Sequence, residues 1–197
     1  MPKTLQQPFR RSAQTSENTA EGALKGSKTF GQKCVKIQIM YIFYLMRHKF
    51  WVMYFCFKHG LFWQGIIHDW DKLLPSMLYT YGRHYPMIRR KRNTDGYYNP
   101  LEAPLDYQRA MLEHFNRSKH HWQHWIMANG VVYQPLDIPE KYIREMICDW
   151  AGAGRTRQGK AWHKGKVREF FENTRTRMAF SEESLRLIRK NLDEMGY

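Results

Sequence analysis

The stretch from Ile37 to His59 constrains the fold more than any other part of the chain, because almost all of its side chains are aliphatic or aromatic. It ends at Gly60, a residue type that commonly follows the last turn of a helix. Arg47, His48 and Lys49 interrupt it at its centre, where charged groups are most costly in a lipid bilayer. The stretch therefore predicts a long, mostly buried helix, and we expect no membrane association.

The residues on the N-terminal side of this stretch differ sharply in composition. Residues 1–33 are rich in Gln, Ser, Thr, Gly and Lys without apolar periodicity, which predicts a disordered, flexible basic tail. Their polarity does not fit a secretory signal peptide. The three cysteines lie far apart and form no CxxC pair, which fits a reducing compartment and argues against a disulfide framework or a zinc ribbon. We expect a cytoplasmic protein.

Helical patterns recur through the rest of the chain, which we expect to form a single domain over residues 34–197. Strand patterns are weak, so the predicted fold class is mainly α. Pro75 either ends the second helix or opens a further one at its first position. Loops are predicted at 82–105 and 152–160, where Gly, Pro or basic residues gather. Helices are predicted at residues 61–72, 104–117, 118–128 and 140–151, with two C-terminal helices within 161–195, at 162–174 and 182–194.

The formal charge of +14, from 32 Lys+Arg and 18 Asp+Glu, indicates an anionic partner. Twenty of the 32 basic residues lie in the segments 1–36, 83–92 and 153–177. We therefore expect a phosphate-containing small molecule or a nucleic acid as the partner. The run Arg89–Arg92 is typical of a solvated loop, and beside an anionic substrate it would equally hold phosphate.

Histidine and aspartate residues lie among apolar residues in several separate places. His48 lies in the first predicted helix, His68 and Asp69 are adjacent in the second, and Asp149 lies in a later one. A lone histidine in an apolar helix is more often a hydrogen-bonded core residue, but this ordered set favours a metal site. Imidazole and carboxylate ligands without cysteine suit Mn, Fe, Co, Ni or Zn and disfavour a purely structural zinc site. Further histidines lie between these two aspartates, close together at His114, His120, His121 and His124.

The order of these residues resembles the HD-domain superfamily of metal-dependent phosphohydrolases. Members of that superfamily bind a first metal through a lone His, an adjacent His-Asp pair and a distant Asp on an all-helical core. The pair in this chain follows two aliphatic residues and is trailed by Lys72, as in the HDxxK form, although Trp70 and Asp71 stand where the superfamily often has small residues. The resemblance implies a single HD-like helical domain with a metal core over about residues 40–155. By position it implies His48, His68, Asp69 and Asp149 as ligands of a first ion, and His114 with His120 or His121 as ligands of a second.

The HD resemblance also implies an activity, the hydrolysis of a nucleotide or another phosphoester through metal-activated water. One or two divalent transition-metal ions would serve as the cofactor. The candidate catalytic residues are Asp69, Lys72 and His121. Lys72 lies one turn after the His-Asp pair and would reach a substrate phosphate there. His114, His120 or His121 would either bind the second metal or protonate the leaving oxygen.

Glu145 lies four residues before Asp149 and so shares its helix face. We expect it to be a salt-bridge partner of a basic side chain, with a metal ligand or an orienter of a ligand as alternatives. The tryptophans Trp122, Trp125 and Trp150 are more typical of a core than of base-stacking platforms.

Two further patterns bear on function. The sequences His120-His121-Trp122 and Cys148-Asp149-Trp150, with the later Trp162, are similar to an uncharacterised family found in bacteria and their phages. That family implies no activity. The basic tail and the charge of +14 instead fit an alternative function, a non-catalytic nucleic-acid-binding accessory protein with a structural HD-like core.

Overall fold

A computed structural model describes the backbone of residues 12–95 and 99–197 and most side chains from residue 34 onward, apart from 92–98. Helices dominate these ranges, and the strands described there form a single short antiparallel hairpin, so the predicted mainly α fold is confirmed. Short 3₁₀ helices connect several of the elements. The elements are α1 (Ser12–Lys58), α2 (Phe62–Ile67), α3 (Pro75–Asp95), α4 (Leu105–Arg117), β1 (Ile126–Asn129), β2 (Val132–Pro135), α5 (Glu140–Gln158), α6 (Gly165–Thr174) and α7 (Glu182–Glu194).

Helix α1 contains the apolar stretch and ends where the sequence predicts. Gly60 has a φ of 75°, a left-handed conformation that glycine adopts without strain after the last helical turn. The helix begins at Ser12, however, so the backbone of 12–33 is helical in the structure where composition predicts disorder. The first eleven residues of that predicted tail lie outside the described residues. Within the described part of the chain, no helix combines the length and apolarity needed to cross a membrane.

Several predicted boundaries are wrong because packing overrides the breaking tendency of Gly and Pro. Helix α3 begins at Pro75 and continues through most of the predicted loop at 82–105, with Pro86 inside it and Ile88 buried. Helix α5 likewise continues through the predicted Gly-rich link to Gln158. A helix predicted at 118–128 is instead a turn, a 3₁₀ helix and strand β1, which the Asn129-Gly130 turn joins to β2.

Two hydrophobic clusters make up the core, and α1 contributes to both. The first joins α1 to α3 and α4 through side chains such as Leu45, Tyr81 and Tyr107. The second joins α1 to α5, α6 and α7 through side chains such as Val52 and Ile147. His48 lies on α1 between Leu45 and Val52 and is itself buried. The first predicted metal ligand therefore lies at the junction of the two clusters.

The closest approach of α1 and α5 generates a stability prediction. A Cβ added at Gly152 would lie 2.5 Å from a Val52 methyl carbon and 2.9 Å from the Val52 backbone nitrogen, so the helices would have to separate. We expect Gly152→Ala to lower the free energy of unfolding by about 1–3 kcal/mol, measured by chemical denaturation. Gly165→Ala is the matched control, since its Cβ would meet only the exposed His163 ring at 3.2 Å. Equal stability of the two variants would show that this helix contact is not tight.

Candidate metal centre

A break in the backbone brings the adjacent His68 and Asp69 side chains to the same point. Helix α2 ends at Ile67, so the predicted continuous helix over 61–72 is wrong. His68 is extended and Asp69 has a φ of 53°, a left-handed conformation that aspartate tolerates better than most residues. The Lys49 ammonium donates a hydrogen bond to the His68 carbonyl oxygen. As a result His68 Nε2 lies 3.6 Å from Asp69 Oδ2, whereas neighbours on a helix would point about 100° apart.

The first cluster consists of the four residues that the HD resemblance implies for a first ion. His48 Nε2 lies 3.2 Å from Asp149 Oδ1 and 3.6 Å from Asp69 Oδ2. His68 Nε2 lies 3.6 Å from each of the same two carboxylate oxygens. These residues come from α1, the α2 break and α5. Three elements that are distant in sequence thus converge on one point.

The second cluster uses the other oxygen of the same aspartate. Asp69 Oδ1 lies 3.4 Å from His114 Nε2 and 3.5 Å from His120 Nε2. His121 Nε2 lies 2.8 Å from His114 Nε2. Helix α4 ends at Arg117, and the turn that follows carries His120 and His121 back towards His114. All three histidines are brought together, while His124 points away and contacts the Phe115 carbonyl oxygen with Nδ1 at 3.2 Å.

The spacing within both clusters fits a bound cation. Ligands held about 2.0–2.2 Å from one metal lie roughly 3.0–3.6 Å from one another, which matches the distances above apart from the shorter 2.8 Å between His114 Nε2 and His121 Nε2. One ligand atom from each of Asp69, His114, His120 and His121 can be chosen so that all lie within 4.8 Å, as can atoms from His48, His68 and Asp69. His68 Nε2, His120 Nε2 and Asp69 Oδ1 are buried and accept or donate no hydrogen bond among the described residues. Such atoms are costly unless something binds them, and a metal ion would.

Buried carboxylates hold three of the histidines by the ring nitrogen that faces away from Asp69. Glu145 Oε1 lies 3.2 Å from His68 Nδ1 and 3.2 Å from His120 Nδ1. Asp71 Oδ2 lies 2.8 Å from His114 Nδ1. A carboxylate at Nδ1 fixes the proton there and leaves the Nε2 lone pair for a metal. The arrangement therefore fits metal ligands with their supporting residues.

Sequence reasoning missed part of this supporting set. Asp71 is fully buried and contacts His114, although its position in the sequence marks it only as a departure from the HD pattern. Glu145 pairs with the imidazoles of His68 and His120, so its basic partners are histidines, and the contact also fits the alternative role of an orienter of ligands. The one signal that the sequence offered for this role of Asp71 is a carboxylate two residues after the His-Asp pair. The pairing of Glu145 with His68 depends on the approach of α2 to α5, which the sequence does not reveal.

The electrostatics of the clusters favour ionised carboxylates. Burial alone would raise the pKa of Asp69, but His68, Lys72 and His114 outweigh it and hold that pKa well below its usual range. Burial likewise opposes ionisation of Asp149, and the facing His48 and His68 rings keep its pKa well below the usual range. Burial, with the neighbouring His120 and His114, lowers the pKa of His121 strongly, so its ring is neutral. Anionic carboxylates and a neutral imidazole are the forms that bind a divalent cation.

Lys72 is placed at the edge of the first cluster. Its Nζ lies 2.7 Å from Asp69 Oδ2, and 17% of its side chain is exposed. Burial opposes the charge on Lys72, but Asp69 and Asp149 overcome this and raise its pKa, so the ammonium stays charged. The charged Lys72 ammonium thus lies beside the seven His and Asp side chains of the two clusters, where it faces both the first cluster and solvent.

The fold and the centre define a mainly helical protein with paired His and Asp clusters that share one aspartate. The chain belongs to DUF5662, a family of unknown function, which it matches over residues 38–194. No curated protein and no solved structure matches the chain. The expectation that the chain belongs to an uncharacterised family is therefore confirmed. The resemblance to the HD-domain superfamily stays a prediction. The matched region contains every residue of both clusters.

The shared role of Glu145 generates a prediction about metal affinity. We expect Glu145→Ala to lower affinity at both clusters by about 10–100-fold, because it supports one histidine in each. Asp71→Asn should lower affinity only at the second cluster, because Asp71 contacts His114 alone among the ligands. Metal content per chain, measured by elemental analysis at a series of fixed free-metal concentrations, separates the two patterns. Glu169→Ala on α6, which breaks an exposed pair with Lys166, is the control. Wild-type metal content in Glu145→Ala would contradict the assignment.

The protonation of His68 generates a prediction about pH. Burial opposes its charge, but the neighbouring carboxylates of Asp69, Asp149 and Glu145 prevail and raise the pKa of His68 to about 10 in the metal-free protein. A metal must displace that proton, so affinity at the first cluster should rise with pH, by roughly tenfold per pH unit below that pKa. Calorimetry in two buffers of different ionisation enthalpy measures the proton directly. Metal binding that releases no proton at neutral pH would contradict this account.

Proposed function

We propose that this protein is a metal-dependent phosphohydrolase that acts on a nucleotide or another phosphoester. The single observation that carries the proposal is Asp69, whose two oxygens each face a separate set of histidines. These side chains would hold two divalent cations, with Asp69 contributing one oxygen to each set. Imidazole and carboxylate ligands suit Mn, Fe, Co, Ni or Zn. The HD resemblance of the same residues supports the reaction class.

The protein side chains divide into two groups in this proposal. His48, His68 and Asp149, with Asp69 Oδ2, would hold the first ion, and His114, His120 and His121, with Asp69 Oδ1, would hold the second. Bound there, the ions would supply a Lewis acid for a phosphoryl oxygen and lower the pKa of a water molecule towards neutrality. We assign His121 to the second group because its Nε2 faces His114 Nε2 across 2.8 Å.

Lys72 would serve the substrate rather than the cations. Its ammonium lies against Asp69 Oδ2 at 2.7 Å, on the side of the cluster where its side chain is partly exposed. A phosphate group brought to the clusters would meet this positive charge, which would offset the negative charge that develops on the phosphoryl oxygens. Lys49 lies next to it but donates to the His68 carbonyl oxygen, so its role would be to hold the break in the backbone.

Substitution of Asp69 tests the proposed function. The wild-type protein, stripped with chelator and reloaded with each candidate metal, should release phosphate from members of a nucleotide and phosphoester panel. We expect Asp69→Asn to lose metal at both clusters and to lower the rate at least 100-fold. Asp106→Asn, which removes an exposed partner of His84, is the matched control and should keep both properties.

Two results would contradict the proposal. One is a metal-loaded wild-type protein that hydrolyses nothing on the panel, and the other is an Asp69→Asn variant with full activity. Binding of DNA or RNA that survives chelation, weakens steeply with salt and accompanies no hydrolysis would favour the alternative accessory function.

Lys72→Ala separates substrate binding from metal binding. We expect it to keep the metal content of the wild type and to lower kcat/KM at least tenfold, because it removes a charge that contacts only the phosphate once metal is bound. Steady-state kinetics and elemental analysis on the same sample measure both quantities. Loss of metal in this variant would show that Lys72 supports the clusters instead.

A further inference from the structure

The face of α1 that points away from the domain is apolar and exposed. Phe43 is 71% exposed, Phe50 is 54% exposed and Met46 is 50% exposed. Single exposed apolar residues are ordinary, but a continuous set on one helix marks an interaction surface. We call this set the outer stripe: Ile39, Phe43, Met46, Phe50, Met53 and Phe57.

The spacing of the outer stripe identifies a helix as its partner. Successive members lie four, three, four, three and four residues apart, which is the repeat of helices that pair side by side. The buried stripe of the same helix, Tyr41, Leu45, His48, Val52 and Phe55, has the same spacing and packs against other helices of the domain. The outer stripe is offset from it by two residues, or about 200°. Within the described residues, helix α1 thus has two stripes with the same spacing. Other helices of the domain cover the first stripe, and the second is exposed.

The area of this surface is large enough for a stable dimer. At its C-terminal end the outer stripe continues onto α2, where the Phe57 and Phe62 rings lie 5.4 Å apart and Trp63 is 67% exposed. A half-exposed aromatic side chain offers roughly 100 Å² to a partner. The six stripe residues and the exposed α2 residues together offer roughly 800–900 Å², and a standard interface buries about 800 Å² per partner. An open groove of about 410 Å³ lies on the same surface, lined by Phe50, Met53, Tyr54, Phe57 and Lys58.

We propose that a second copy of this chain covers the outer stripe, so that two α1 helices pair about a two-fold axis. The second copy offers a helix with the same repeat and the same length of apolar surface, which a self-complementary interface requires. No charged residue lies within the stripe. Arg47 and Lys49 flank the stripe, and both side chains reach towards their own domain. Lys49 donates to the His68 carbonyl oxygen, and the Arg47 guanidinium lies beside Gly159 at the end of α5.

The oligomeric state of the full chain tests this proposal. We expect sedimentation velocity to give a dimer, and Phe43→Glu and Phe50→Glu to weaken dimerisation tenfold or more by placing a charge in the apolar interface. Leu112→Glu, on an exposed position of α4, is the control and should remain a dimer. Circular dichroism of each variant verifies that it folds, which is expected since both phenylalanines are at least half exposed.

Three outcomes would overturn the proposal. The first is a wild-type protein that stays monomeric at all accessible concentrations. The second is a dimer that Phe43→Glu and Phe50→Glu leave intact, which would place the interface elsewhere. The third is a monomer that binds anionic phospholipid vesicles and loses that binding in Phe50→Glu, since the occupant of the surface would then be a membrane. None of these outcomes depends on metal content or hydrolysis.

Discussion

The Asp69 carboxylate is the group on which the rest of the centre depends. It is buried, its backbone is left-handed, and each of its oxygens faces a different pair of histidines. A buried anion is tolerated only when positive charge compensates it. Lys72 and His68 supply part of that charge at Oδ2, while Oδ1 has no hydrogen-bond partner among the described residues. The clusters therefore fit the proposed sites for divalent cations, and the helices around them are the scaffold that holds four chain segments at one carboxylate.

Helix α1 connects this centre to the fold. Its buried stripe carries Leu45 into one hydrophobic cluster and Val52 into the other, and His48 lies between them. The position of the His48 side chain is thus fixed by the same packing that forms the core, and it does not depend on a flexible loop. The outer stripe of the same helix faces away from the centre. If a second copy pairs there, the α1 helices of the two copies would form the interface, and each copy would keep a complete centre within its own chain.

The sequence singled out the residues that meet at Asp69 better than it predicted the local structure that brings them together. Residue type and order, with the HD resemblance, pointed to His48, His68, Asp69, Asp149, His114, His120 and His121. The structure places these side chains together, and their role as metal ligands stays a prediction. The break between His68 and Asp69 was not visible, since the surrounding residues have ordinary helical character. Gly152 was misread as the start of a Gly-rich link and Pro86 as part of a loop, because their tolerance within a helix depends on partners distant in sequence. The role of Asp71 was missed and that of Glu145 was only an alternative, since both depend on helix contacts.

Anomalous X-ray scattering from crystals of the metal-loaded protein tests the central claim most directly. Two shared-carboxylate sites predict two peaks, one beside each oxygen of the Asp69 carboxylate. One peak should lie against His48, His68 and Asp149, and the other against His114, His120 and His121. A loaded protein that shows no peak at Asp69, or binds metal only through an exposed histidine such as His163, would contradict the account.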